Sequence, residues 1–189
     1  MKLFTKEELG AILVSVLALT LFYSYPDIRK LFFLTLPIVF LSFILRQTAH
    51  KMLARRLQCT ATYKISSGAM LLSLLTMFLK PFYGFVTMVT GYLEIVPYKF
   101  GRWGIKVVKL TPYDLGAVCL AGIGVNLFLA YFFLFFSGNT FHIIVEINAF
   151  LALYSLIPIP PLDGSKVFMW SIWGWLFILL LSIVPLILL

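Results

Sequence analysis

The sequence predicts an α-helical integral membrane protein with about six transmembrane helices and a short membrane-associated β-hairpin. Three observations predict it. Of the 189 residues, 62% are hydrophobic and 12% are charged, against roughly 25% charged in soluble domains. The apolar residues gather in runs long enough to cross a hydrocarbon core, which takes about 20 helical residues. Between residues 84 and 104 the pattern changes to β-branched and aromatic residues punctuated by Gly84, Gly91, Pro97, Gly101 and Gly104, which reads as strands and turns.

Taken in order, residues 9–26 form a first span, started by a capping box at Thr5–Glu8 and broken at Pro26. Residues 31–54 form the second, and a shorter apolar run over 66–80 stops at Lys80–Pro81. The hairpin region follows; strand edges cannot lie bare in lipid, so it must pack on protein or lie at the interface. Further spans cover 114–136, 140–158 and 168–189, and residues 1–189 make one transmembrane domain. The net charge of +8 does not indicate nucleic acid, because Lys and Arg cluster in short gaps beside the spans, where membrane proteins keep cytoplasmic charge. A multi-pass cell-membrane protein with a cytoplasmic amino terminus is expected. Cys59 and Cys119 have no paired spacing and are expected as free thiols.

Ionisable groups inside spans cost roughly 2.5–3.5 kcal/mol each and usually face protein or water. Here they are Arg46, His50, Glu146 and Asp163. Arg46 and His50 lie one helical turn apart and share a face. By themselves they fit either snorkelling to headgroups, as expected of Lys51 and Arg55, or an inward-facing site. Glu146 and His142 are expected at the interface. In "SLIPIPPLDGSK", residues 155–166, Pro158, Pro160 and Pro161 must unwind the helix. Asp163 follows, either in a simple turn or as a buried carboxylate that needs a cation.

These stretches resemble the site-2 protease family of intramembrane zinc metalloproteases, over residues 30–170 or so. That family carries H-E-x-x-H in one span and N-x-x-P-x-P-x-x-D-G on a later one. The second motif is matched at Pro158, Pro160, Asp163 and Gly164, and His50 aligns with the second histidine of the first. Ala121, Gly122 and Asn126 resemble the family's Ala-Gly-Pro-x-x-Asn helix, and the 84–104 stretch resembles its hairpin; the overall shape is similar to the archaeal branch. The resemblance implies zinc bound by two histidines and the aspartate.

Here the motif reads Arg46-Gln47-Thr48-Ala49-His50. Arg46 replaces a ligand with a permanent cation, Gln47 replaces the general base, and Ser155 replaces the asparagine. No bound metal or other cofactor is therefore expected, with His50 and Asp163 as remnant ligands. The expected function is that of a catalytically inactive homologue binding transmembrane segments of other membrane proteins, besides the lipid bilayer. Thr87, Thr90 and Asn126 are its expected partner-binding residues. The alternative is an active protease with an unorthodox metal site; a solute pathway is weaker, lacking paired inverted repeats. A further expectation is an Arg46–Asp163 ion pair in place of the metal, with a neutral His50 beside it.

Overall fold

A computed structural model of the chain describes residues 4–83, 87–101, 104–107 and 109–189. Gly84, named in the sequence reading, lies outside the described residues. The elements run α1 (Lys6–Ser24), α2 (Ile28–Arg56), β1 (Thr60–Ile65), α3 (Ser67–Tyr83), β2 (Gly91–Val96), β3 (Tyr98–Gly101), β4 (Gly104–Val107), α4 (Pro112–Leu134), α5 (Asn139–Ser155), α6 (Asp163–Trp170) and α7 (Ile172–Leu188).

Local chemistry sets most of these limits. Thr5 starts α1 by accepting the Glu8 N–H. At α4 the capping box is complete, with Thr111 and Asp114 reciprocally bonded and Pro in the first turn. Prolines end α5, as expected. The predicted last span is instead two helices, because Ser171 is extended and its hydroxyl accepts the Gly174 N–H to cap α7.

Only α1, α2 and α4 are both long and apolar enough to cross a membrane, among the described residues. Of the six expected spans, the structure supports these three. Helices α3, α5 and α7 have 17 residues each, about 26 Å of rise, short of the ~30 Å hydrocarbon core. The outward faces of α3 and α7 are still apolar: Leu71, Phe78, Phe177 and Leu180 are all exposed.

The hairpin expectation also changes. Strand β2 pairs with β1, antiparallel, with Tyr63 opposite Leu93, and only β3 and β4 form a local hairpin. Strand β1 lies between the second expected span and the 66–80 run, and it alternates: Ala61 and Tyr63 are buried while Lys64 is exposed. That period-two pattern is a strand signal.

Helices α2 and α4 are antiparallel neighbours. Leu41 and Leu45 share a cleft with Leu129 and Phe133, while Ala54 clusters with Val118. The basic end of α2, with Arg55 and Arg56, therefore lies at the same end as the start of α4. The largest core packs Ile12, Val16 and Leu19 of α1 against Val39 and Phe43 of α2 and Ile147 and Leu151 of α5.

Lys51 does not snorkel. It is buried, and its ammonium donates to Glu8 at 2.7 Å and to the Ala61 carbonyl at 3.1 Å. Glu8 also accepts the Tyr63 N–H at 3.0 Å. Its carboxylate thus serves α2 and β1 rather than closing a capping box on α1. Lys51→Ala or Glu8→Ala alone should cost about 3–5 kcal/mol by stranding the other charge, and replacing both with Met should cost much less. Unfolding in detergent measures all three variants; small, additive losses would contradict the pairing.

Candidate functional site

The site is built on the inward face of α2. Arg46, Gln47 and His50 lie within one turn of each other and are all buried. Opposite them, α4 presents Gly122, where a Cβ would fall 2.1 Å from His50 Nε2. The missing side chain is what admits the imidazole. His50 Nδ1 lies 2.8 Å from the Val118 carbonyl. A carbonyl only accepts, so Nδ1 carries the proton and Nε2 is left with its lone pair.

That lone pair accepts from Arg46. The guanidinium Nε lies 3.4 Å from His50 Nε2, and Nη2 lies 2.8 Å from Asp163 Oδ2. The expected Arg46–Asp163 pair is present, with His50 beside it. Asp163 reaches this position as the first residue of α6, after the proline-unwound segment. Gly164 permits the approach, since a Cβ there would lie 2.2 Å from the Leu156 carbonyl carbon. The aspartate is 2% exposed, so the alternative of a simple exposed turn is excluded. Its other oxygen accepts the Leu93 N–H of β2 at 3.2 Å and lies 3.8 Å from the Lys166 ammonium, which donates to the Leu93 carbonyl at 2.6 Å.

Lys166 was missed by the sequence reading. The signal was there, because D-G-S-K places a cation three residues after Asp163 on a helix. It makes the cluster one carboxylate between two cations.

The remaining expected residues are placed as follows. Ser155 turns its hydroxyl back to the Leu151 carbonyl. Thr90 is 3% exposed and shares a hydrogen bond with the Tyr63 hydroxyl at 2.9 Å. Thr87 is half-buried and bonded to Thr76. Asn126 is fully buried, and neither of its amide atoms has a hydrogen-bond partner among the described residues. Thr90 and Asn126 are therefore buried and not on the outer surface. Glu146 is half-buried rather than free at the interface, and accepts from the Tyr23 hydroxyl; His142 is exposed. Cys59 and Cys119 are free thiols.

These residues do not fit a catalytic zinc site. Zinc of that kind needs three protein ligands about 2 Å from the ion and an open position for water. His50 Nε2 and Asp163 Oδ2 remain 3.9 Å apart, but the guanidinium bridges them in the space an ion would use. No group of three or more His, Cys, Asp or Glu side chains arranged to hold a metal occurs among the described residues. The void beside the pair, lined by Tyr63, Thr90 and Ser155 among others, is only about 10 Å³, the room needed by one water.

Arg46→Ala or Asp163→Ala should each destabilise by about 3–5 kcal/mol, and the paired change to Leu should cost much less than their sum. A double-mutant cycle by thermal unfolding reads this directly. Gly122→Ala should displace the imidazole, seen as a changed His50 ring resonance in NMR; an unchanged resonance would mean the Val118 contact is not needed to hold the ring.

No family model matches the chain, and no solved structure matches it. A curated protein of Methanocaldococcus jannaschii, named "Putative zinc metalloprotease MJ0611", is 31% identical over 183 residues, covering 91% of this chain and 88% of that one. At that identity and coverage, the chain belongs to the zinc-metalloprotease-like family of this relative.

Proposed function

We propose that this protein is a non-hydrolytic, site-2-protease-like member of its family that binds transmembrane segments of other proteins. One observation carries the reading: the Arg46 guanidinium joins His50 to Asp163 at the position where the family's chemistry would need a divalent ion. A guanidinium cannot lose its proton at accessible pH, so it neither ligates nor activates water. Gln47 has no basic atom with which to take a proton from such a water.

Membrane binding of partners follows from what the fold retains. The buried polar cluster sits among apolar helices, which supports a partner segment that is itself in the bilayer. Strand β2 adjoins it and offers a route for an unwound segment to pair by strand addition, once Asp163 and Lys166 let go of Leu93. Thr87, at the approach to β2, is the position from which a photo-crosslinker should capture such a segment.

The purified wild-type chain should carry no stoichiometric zinc and should leave transmembrane substrates uncut. Arg46→His together with Gln47→Glu restores a third ligand and a base, and should raise metal content to about one zinc per chain. Metal analysis by mass spectrometry decides between the readings. Stoichiometric zinc in the wild type, with cleavage abolished by a chelator, would overturn the proposal.

A further inference from the structure

A second feature lies away from the Arg46–Asp163 cluster, in the apolar cleft where α2 faces α4 and α5. The cleft is about 270 Å³, far larger than the void at the ion pair. Leu41, Ser42 and Leu45 of α2 form one wall, Leu129 and Phe133 of α4 another, and Asn148 of α5 contributes the third. Leu41 is 59% and Leu45 46% exposed, so the cleft opens on the outer surface. Ser42 stands midway along α2, the longest helix, which puts the cleft at hydrocarbon depth.

Asn148 is the anomaly. Its Nδ2 donates to the Ile144 carbonyl at 2.8 Å, which fixes the orientation of the amide. The Oδ1 is then an acceptor, buried and without a hydrogen-bond partner among the described residues. A buried amide oxygen in so apolar a place calls for a donor.

We infer that this cleft receives a transmembrane helix of another protein, which donates a side-chain hydrogen bond, from Ser or Thr, to Asn148. Lipid chains offer no donor at that depth, because phospholipid polar groups stay at the headgroups; across helices, hydroxyl and amide side chains supply it. The α2 wall, from Pro37 to Leu45, is about 12 Å long, the rise over which a helix presents three side chains of one face. Leu41 and Leu45 are exposed side chains lining the cleft, and rotamer changes of such side chains on binding would bring a donor to the buried oxygen. The inference rests on the reading that the chain binds transmembrane segments, and adds a second contact surface and the chemistry of what it takes.

The test uses the full chain in lipid vesicles with two synthetic transmembrane peptides, one all-leucine and one with a single central serine. Energy transfer from a dye on Phe33→Cys, exposed on α2, reports association. The serine peptide should bind about three- to tenfold more tightly than the all-leucine one. Asn148→Leu should erase that preference, and Leu41→Trp, which fills the cleft from an exposed position, should weaken both peptides. Equal binding of the two peptides, or a preference that survives both substitutions, overturns the inference. So does quenching of a Leu45→Cys label by brominated lipid chains that neither peptide relieves, which would assign the cleft to lipid. Capture at Thr87 without a serine preference at the cleft would sink this inference alone, whereas zinc-dependent cleavage would sink the functional reading alone.

Discussion

A carboxylate held almost entirely out of water sets the terms for the rest of the molecule. Asp163 cannot be ionised at 2% exposure without cations and donors around it. Three groups answer: the guanidinium of Arg46 from α2, the Leu93 N–H from β2, and the Lys166 ammonium from the next turn of α6. Each fixes an element. At Gly122 and Gly164 a side chain would keep those elements apart.

The same physics appears on the other side of the small sheet. Tyr63 and Leu93 are opposite each other in the β1–β2 register, and each sends its N–H outward. The Tyr63 N–H goes to Glu8, which is neutralised by Lys51, and the Leu93 N–H goes to Asp163, which is neutralised by Arg46. Both outer edges of a two-stranded sheet are thus closed at this level by buried carboxylates, and both carboxylates are balanced from α2. Open strand edges are not tolerated in a bilayer, and this arrangement satisfies them without further strands. It makes α2 the spine of the protein, with one cation turned towards α1 and β1 and another towards β2 and α6.

The relation to metalloproteases follows from the same geometry. His50 and Asp163 stay 3.9 Å apart, close to the spacing that two ligands of one ion would have. On the function proposed above, Arg46 supplies a permanent positive charge between them, and recognition inside the membrane takes the place of hydrolysis.

Much of this was determined by the sequence alone. Charge depletion and long apolar runs specified a membrane protein, three prolines specified an unwound segment before Asp163, and an arginine one turn before His50 specified the charge that the aspartate would need. These are local properties, readable because the cost of burying a charge or a proline is paid wherever the residue lies. The tertiary structure decided the rest. That Lys51 turns inward to Glu8 depends on where α1 packs, 43 residues away in sequence. That β2 pairs with β1 across α3, instead of folding back on itself, depends on long-range register. That the Asn148 oxygen has no partner among the described residues depends on three helices meeting without filling the cleft between them. Side-chain periodicity says which face of an element is apolar, but not which neighbour will cover it, because that choice is made by contacts between residues far apart in the chain.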